Sequence, residues 1–205
     1  MLRLMLATSN PGKVAELRAI LASLFDLGGV TLLTPRDWPT PLSEVDETGT
    51  TFAENARLKA DALAAATGLP ALADDSGLCV DALDGAPGLY SARWAGAGAS
   101  DADRNAKLLL ALADVPPERR TARFACAAAL AMPGGETRTA EGVCEGVILN
   151  APRGANGFGY DPLFLLPDLR RTMAELTSEE KNRLSHRALA VSRLSSQFSA
   201  LMNPP

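Results

Sequence analysis

Short apolar segments that run directly into polar helix starts constrain the fold of this chain more than any other feature. Leu2–Thr8 is typical of a buried strand, and Pro11–Leu24 is typical of the helix that follows, because proline suits the first helical position and Ser9 or Asn10 suits the N-cap. The same patterns predict strands near 30–33, 71–73, 124–132 and 137–149. They also predict helices near 51–67 and 100–113, which begin at cap-like residues, Thr51 and Ser100. Strands that alternate with helices and include one hairpin predict an α/β fold with a mixed sheet.

The C-terminal part is predicted to hold a glycine-rich loop followed by one long helix. Gly154–Tyr160 is the loop, and Thr177 begins a capping box with Glu180. Residues at helical spacing then mark one face of the helix, at Leu184, Ala188, Val191, Ser195 and Phe198.

Length, charge and cysteine usage limit the class of protein. At 205 residues the chain is expected to form one domain, residues 1–205. With 20 Lys and Arg against 24 Asp and Glu, a broad basic surface for polymeric nucleic acid is not expected. No apolar run approaches the roughly 20 residues that span a bilayer, and the start lacks a signal-peptide core. Three widely spaced cysteines predict neither a disulfide framework nor a zinc site, so we expect a cytoplasmic protein without a membrane anchor.

The segment Thr8-Ser9-Asn10-Pro11-Gly12-Lys13 joins the end of a strand to a helix N-terminus. Backbone N–H groups and the helix dipole favour an anion there, and a lysine adds charge. The segment is not a Walker A loop, because Ala7 stands where the first glycine belongs and Val14 stands where Ser or Thr is required. Either a phosphate loop or an ordinary capped helix start fits the pattern.

Acidic residues follow the third predicted strand and also lie on the preceding loop. Asp74-Asp75-Ser76-Gly77 comes directly after an apolar strand, where adjacent carboxylates lose solvation unless they have a use. A hard cation would neutralise them, and one of them could orient or deprotonate a water. Glu44, Asp46 and Glu47 could add metal ligands from the loop. The alternatives are an Asx turn that leaves the sheet and an exposed acidic loop.

The glycine-rich loop and the last helix contain the residues suited to a planar base. Phe158 and Tyr160 lie between glycines and precede Asp161, so they could stack on a base, or they could plug the core. Lys181 and Ser185-His186-Arg187 could bind a base carbonyl or phosphates, or form a solvated basic face.

Six motifs, in order, resemble the inosine/xanthosine triphosphate pyrophosphatase family across about Leu2–Met202. They are Thr8 to Lys13; Glu47-Thr48-Gly49 with Thr51-Phe52, Glu54-Asn55-Ala56 and Leu58-Lys59-Ala60; Ala73 to Leu78; Gly85 to Gly88 with Tyr90 to Arg93; Gly157 to Pro162; and Ser185-His186-Arg187. Ser9 departs from the glycine that is common in the family, which changes loop flexibility without removing hydrogen-bond donors.

The resemblance implies a Mg²⁺-dependent homodimer that hydrolyses deaminated purine nucleoside triphosphates (ITP, dITP and XTP). The products would be the monophosphate and pyrophosphate, so the enzyme would cleanse the nucleotide pool. The family fold is a two-lobed α/β structure with a mixed sheet and an active site in the cleft between the lobes.

The family's roles carry over onto matching positions. Asp75 would accept a proton and bind the metal, which Glu47 and Asp74 would share. The phosphates and sugar would contact Thr8, Ser9, Asn10, Pro11, Gly12, Lys13, Lys59 and Ser76. The base would lie against Phe158, Gly159, Tyr160 and Asp161, with its 6-oxo edge facing Lys181, His186 and Arg187. Cationic donors reward a 6-oxo acceptor and leave an unmatched donor against the 6-amino group of adenine.

Two other functions stay open from the sequence. A Maf-like nucleotide pyrophosphatase would act on other triphosphates, although the glycine–aromatic loop and the Ser-His-Arg run favour a purine. A nucleotide sensor without catalysis would need a phosphate loop and a base platform, but not the paired Asp74 and Asp75.

Overall fold

The computed structural model of the protein describes Leu2–Met202, and this range divides into two compact units. Unit 1 takes residues 2–75, 126–142 and 186–202, and unit 2 takes residues 76–125 and 143–185. Each unit has its own hydrophobic core: two clusters lie within unit 1 and one lies within unit 2.

A seven-stranded mixed sheet is the frame of the fold, which confirms the predicted class. Its order is β2-β1-β3-β4-β5-β6-β7, with β1 parallel to β2 and β3, and β6 antiparallel to β5 and β7. The strands are β1 Leu2–Leu6, β2 Val30–Leu33, β3 Ala71–Val80, β4 Thr121–Ala131, β5 Arg138–Ile148, β6 Phe164–Leu166 and β7 Arg171–Thr172. The α-helices are α1 Pro11–Leu24, α2 Phe52–Thr67, α3 Asp101–Ala111, α4 Ser178–Leu184, α5 His186–Ser192 and α6 Ser195–Met202.

The core of unit 1 lies on both faces of its part of the sheet. On one face Leu72 packs in a cluster with Leu17 of α1 and Val191 of α5. On the other face Ala73 packs in a cluster with Ala56 and Ala60 of α2. Because successive side chains of a strand point to opposite faces, α1 and α5 cover one face of β3 and α2 covers the other.

Strand β3 continues beyond the point where the sequence predicted that it would end. The predicted end of this strand at Ala73 was wrong, and the alternative of an Asx turn is excluded, because Asp74 and Asp75 lie within β3 and are buried. Carboxylates can occupy such positions when charged partners compensate for the lost solvation, and both aspartates have them here.

The predicted long C-terminal helix is also wrong, since it is three short helices. Ser185 has extended backbone angles, φ −67° and ψ 150°, and separates α4 from α5. Serine is favoured immediately before a helix because its side chain competes with helical hydrogen bonds. The break makes His186 and Arg187 the first residues of a separate helix, and both are buried rather than part of a solvated face.

The other sequence expectations about helix starts are confirmed. Asn10 caps α1, Thr51 forms a capping box at α2, and Ser100 forms one at α3. All three cysteines are free thiols. Within residues 2–202, none of the helices combines the length and the apolar character needed to cross a bilayer.

Candidate active site

Asp74 and Asp75 are neighbours in β3, but they engage different helices. Asp74 pairs with Lys13 of α1 and Arg187 of α5, whereas Asp75 pairs with Lys59 of α2. This is the result of strand alternation, which directs adjacent side chains to opposite faces. The two carboxylates are therefore each part of a separate ionic cluster.

The Asp74 cluster is a buried network of two cations and two carboxylates. Asp74 Oδ2 lies 3.0 Å from Lys13 Nζ and accepts hydrogen bonds from Arg187 Nε and Nη2 at 3.1 and 3.0 Å. Arg187 Nη1 also donates to Glu16 of α1. The Arg187 residue is 1 % exposed, so its guanidinium is held by carboxylates rather than by water.

Charge pairing decides the ionisation of this cluster. Burial alone would raise the pKa of Asp74, but Arg187, Lys13 and Lys59 together hold that pKa well below its usual value. Burial would likewise lower the pKa of Arg187, and the carboxylates of Asp74 and Glu16 raise it instead. The pairing thus favours the charged forms of both Asp74 and Arg187.

The Asp75 cluster contains fewer cations and is more open. Asp75 Oδ1 lies 3.1 Å from Lys59 Nζ, and its Oδ2 accepts a hydrogen bond from Asn55 Nδ2 at 3.2 Å. The same Lys59 ammonium lies 2.9 Å from Oε1 of Glu47, on the loop before α2. Gly49 donates to the Asn55 side chain at 2.8 Å, which fixes the amide that faces Asp75.

Asp75 has the opposite pKa shift from its neighbour. Burial raises the pKa of Asp75, and the Glu47 charge adds to this, while Lys59 and Lys13 oppose it. Burial would lower the pKa of Lys59, but Asp75, Asp74 and Glu47 raise it, so the lysine stays charged. A carboxylate with a raised pKa beside a fixed cation is suited to accept a proton.

The segment Thr8 to Lys13 forms the start of α1. Asn10 Oδ1 accepts hydrogen bonds from the backbone N–H groups of Gly12 and Lys13, at 2.9 and 3.2 Å. Thr8 Oγ1 accepts from the N–H of Asn10 at 3.2 Å. These two side chains therefore stabilise the turn, and the side chain of Lys13 extends from the turn to form an ion pair with Asp74.

The carboxylates were tested for a fit to a divalent cation. Within residues 2–202, no group of three or more His, Cys, Asp or Glu side chains could hold a metal by itself. Mg²⁺ usually takes one or two carboxylates and completes its coordination with phosphate oxygens and water. Asp75 and Glu47 come from separate elements and already face one positive charge, that of Lys59. These residues fit a cation that arrives together with a phosphate ligand.

In unit 2 the glycine-rich loop is organised around Asp161. Asp161 Oδ2 accepts from the backbone N–H of Phe158 at 2.9 Å and lies 2.5 Å from Lys181 Nζ. The Lys181 ammonium also lies 5.1 Å from the centre of the Phe158 ring. A Cβ on Gly157, which has φ +73°, would lie 2.0 Å from Asp161 Oδ2. Glycine is required there because the carboxylate approaches the backbone so closely.

The two aromatic side chains of the loop have different environments. Tyr160 is 4 % exposed, belongs to the hydrophobic core of unit 2, and donates its hydroxyl to the Ser91 carbonyl at 3.0 Å. Phe158 is partly exposed. Phe158 is therefore the ring suited to stack on a planar ligand, while Tyr160 anchors the loop.

The structure brings together some of the predicted site residues within each unit. Unit 1 groups Lys13 with Asp74 and Arg187, and it groups Lys59 with Glu47 and Asp75. Unit 2 groups Lys181 with Asp161 and Phe158. Arg187 belongs to the Asp74 cluster, so its predicted contact with a base stays a prediction, as does that of the buried His186.

Two further residues were not singled out from the sequence. Asn55 is 2 % exposed and orients Asp75, and Glu16 is a partner of Arg187. The signal available in the sequence was an asparagine inside a predicted helix, because asparagine favours caps and turns over helix interiors. Glu16 had no comparable signal, since a glutamate is ordinary on a helix surface.

Comparison with known proteins supports the family resemblance that the sequence motifs indicated. A sequence model of the Ham1 family matches residues 4–197. A dITP/XTP pyrophosphatase of Streptomyces coelicolor is 58 % identical over 191 residues, which cover 93 % of this chain and 94 % of the relative. One from Geobacillus kaustophilus is 51 % identical, with 98 % and 97 % covered.

Solved structures agree with the sequence comparison. A HAM1 protein from Coxiella burnetii has a TM-score of 0.83 and 44 % identity, covering 97 % of this chain and 99 % of that one. A Mycobacterium abscessus structure, described as a nucleoside-triphosphatase / dITP/XTP pyrophosphatase, has a TM-score of 0.71 and 44 % identity, with all of both chains covered. The chain belongs to the Ham1 family.

Proposed function

We propose that this protein hydrolyses deaminated purine nucleoside triphosphates (dITP, XTP and ITP) to the monophosphate and pyrophosphate. The observation that carries the proposal is Asp75, whose pKa is raised and whose two oxygens are oriented by Lys59 and Asn55. Relatives with matching motifs over almost the whole chain are named dITP/XTP pyrophosphatases, which supports the choice of substrate.

Asp75 acts as the general base in this proposal. It accepts a proton from the attacking water, and Lys59 stabilises the charge that develops on the phosphates. Lys13 and the Thr8 to Lys13 turn bind the phosphates, with Ser76 beside Asp75 in the sequence. Since phosphoryl chemistry depends mainly on positioning and charge neutralisation, these groups can supply most of what the reaction requires.

Mg²⁺ is the proposed cofactor. Glu47 and Asp75 would hold it, and it would neutralise phosphate charge and polarise the bond that is cleaved. Asp74, the third ligand predicted from the sequence, points to the opposite face of β3 and pairs with Lys13 and Arg187 instead. Lys59, which pairs with both Glu47 and Asp75, would keep these carboxylates ionised and oriented.

The glycine-rich loop is the proposed base site. Phe158 would stack on the purine, and Lys181, held by Asp161, would donate to the 6-oxo group. Adenine presents a 6-amino donor at that position, so a lysine there would face a donor instead of an acceptor. The homodimer and the cytoplasmic location belong to the same proposal and rest on the family resemblance.

Product analysis tests the proposal. The wild-type protein is incubated with ITP, dITP, XTP, GTP, ATP and dTTP, with Mg²⁺ or with a chelator, and the products are separated by ion exchange. We expect pyrophosphate with IMP, dIMP or XMP, little product from ATP or GTP, and no turnover with the chelator. Orthophosphate with a diphosphate would contradict the cleavage position, and preferential use of dTTP would favour a Maf-like activity.

A further inference from the structure

Both polar groups of the Gly159 backbone are bound by side chains of α3. The Gly159 N–H donates to Asp101 Oδ2 at 2.8 Å, and the Gly159 carbonyl accepts from Asn105 Nδ2 at 2.9 Å. Asp101 and Asn105 are four residues apart, so they lie one above the other on one face of the helix. A single helix turn therefore holds the residue between the two aromatic rings of the loop.

The backbone conformation of Gly159 determines how the two aromatic residues beside it are oriented. Its φ of +63° is in the left-handed region, which sets the direction of the chain between Phe158 and Tyr160. Tyr160 is fixed through its hydroxyl by Ser91, and the Phe158 N–H is fixed by Asp161. The Phe158 N–H, the Gly159 N–H and the Gly159 carbonyl are thus all hydrogen-bonded to side chains. These bonds restrict rotation of the backbone on both sides of the Phe158 ring.

The start of α3 is itself fixed. Ser100 and Asp103 form a capping box, with Ser100 N donating to Asp103 Oδ2 at 2.9 Å. Arg104 pairs with Asp101 and donates to the carbonyls of Ala92 and Ala99. Asp101 is thus held by an arginine that is bonded to the chain before the helix, which defines where the acceptor for Gly159 lies.

We infer that Asp101 and Asn105 are positioning residues for base recognition, acting by holding Gly159 so that Phe158 presents its ring in one orientation. The inference rests on the proposed function, because it assumes that the loop binds the purine. It adds a function for α3, from which no residue takes part in the Lys13–Asp74–Arg187 or Lys59–Asp75–Glu47 pairs.

The experiment compares the affinities of the two products in two variants of Asn105, two variants of Asp101 and one control. Asn105→Ala removes the donor to Gly159, and Asn105→Asp places a second acceptor against the Gly159 carbonyl. Lys107→Ala is the matched control, because it removes a side-chain hydrogen bond that the same helix makes to the Trp94 carbonyl, outside the loop. Inhibition constants for IMP and for pyrophosphate are measured separately, together with kcat/KM for ITP and ATP.

A selective loss of base affinity is expected. Asn105→Ala should raise the inhibition constant of IMP roughly five- to tenfold, which is the value of one hydrogen bond, and Asn105→Asp should raise it further. The inhibition constant of pyrophosphate should stay within about twofold. The preference for ITP over ATP should fall by a smaller factor than the IMP affinity, because both purines lose the stacking on Phe158 and only ITP loses the contact of its 6-oxo group with Lys181. Asp101→Ala should act in the same direction, with Asp101→Asn restoring part of the effect because it keeps an acceptor.

The outcomes separate the two proposals. If wild type does not release pyrophosphate from ITP, the proposed function fails. If wild type is active but Asn105→Ala and Asn105→Asp change IMP and pyrophosphate inhibition equally, or match Lys107→Ala, the positioning inference is overturned.

Discussion

The region around the β3 carboxylates and the glycine-rich loop are stabilised by different kinds of interaction. Around Asp74 and Asp75, unit 1 concentrates buried charges in ion pairs and in hydrogen bonds to carboxylates. Around Gly159, unit 2 instead fixes backbone groups, with Lys181 and Asp161 as one buried ion pair. The first region is therefore suited to stabilise charges on a bound phosphate, and the second is suited to keep one backbone conformation.

This difference determines how each region can fail. A buried ion pair that loses one partner leaves an uncompensated charge, which is costly and acts over several ångströms. A loop that loses one backbone hydrogen bond keeps its charges but gains conformational freedom. Substitutions in unit 1 should therefore affect turnover or folding strongly, whereas those in the loop should change which base is preferred.

The largest effect is expected for Asp75→Asn. Removing the proton acceptor should lower kcat for ITP by about 10²- to 10⁴-fold, the usual contribution of a general base. Equilibrium binding of ITP should persist, since Lys13, Lys59 and the loop are unchanged. Asp61→Asn, on the exposed surface of α2, is the control and should retain wild-type kcat. Undiminished turnover by Asp75→Asn would exclude the residue as the base.

Arg187→Ala is expected to cost stability more than any other single change in the Asp74 cluster. It leaves Asp74 and Glu16 without their shared cation, so the free energy of unfolding should fall by about 3–5 kcal/mol. Urea denaturation measures this, with the exposed Arg193→Ala as the comparison. We also expect lower activity on ITP. A weaker preference for ITP over ATP is expected here only because the family resemblance gives Arg187 a contact with the base as well. A variant as stable as wild type would mean that the pairing is not structural, and unchanged selectivity would remove Arg187 from base reading.

A comparison of Gly157→Ala with Gly134→Ala separates the cost of a left-handed backbone from the effect of a steric clash in the loop. Its Cβ would lie 2.0 Å from Asp161 Oδ2 at a positive φ, so the carboxylate must shift away from Phe158 and Lys181. Gly134→Ala, in the β4–β5 turn, has a similar φ of +66° but nothing within 4 Å of its Cβ. Both should lose about 1–2 kcal/mol of stability to the left-handed conformation. A reduced ITP-over-ATP ratio is expected for Gly157→Ala alone, and equal ratios in the two variants would contradict the loop's assigned function.

The smallest effect concerns the support of α4, which carries Lys181. Arg171 and the Thr177 N–H lower the pKa of Glu180 to about 2, from a usual value of 4.5. A lowered pKa in the folded state stabilises the protein above the unfolded value, and this stabilisation disappears as the pH falls through the folded one. The Tm of wild type should therefore exceed that of Glu180→Gln at pH 6, and the difference should vanish between about pH 4.5 and about pH 2. A difference that is constant across this range would show that the Arg171 pairing does not depend on the Glu180 charge.

The sequence predicted helix starts and strand identities better than it predicted interruptions. Caps at Asn10, Thr51 and Ser100 are local chemistry, so they could be read directly. The continuation of β3 through Asp74 and Asp75 could not, because it depends on cations from α1, α2 and α5 that are distant in the sequence. The break at Ser185 was hidden for a similar reason, since the residues around it keep helical spacing.

The candidate site shows the same limit. Motifs singled out Lys13, Lys59 and the aspartates as chemistry-bearing residues, but which lysine meets which aspartate is a property of the folded sheet. Asn105 belongs to an ordinary helical stretch in the sequence, and its contact with Gly159 spans 54 residues. Charged residues with a chemical role could thus be found from the sequence. Residues that orient others through hydrogen bonds, such as Asn105, could not.

The division of work between the two regions is tested most directly by measuring base preference in Asp75→Asn and Phe158→Ala. The preference is the ratio of ITP to ATP affinity at equilibrium for the first variant and the ratio of their kcat/KM values for the second. We predict that Asp75→Asn turns over ITP about 10²- to 10⁴-fold more slowly but still binds it in preference to ATP. We predict that Phe158→Ala releases pyrophosphate with that preference reduced, because the base is no longer held with its 6-oxo group at Lys181. Loss of preference in Asp75→Asn, or full preference in Phe158→Ala, would contradict the account.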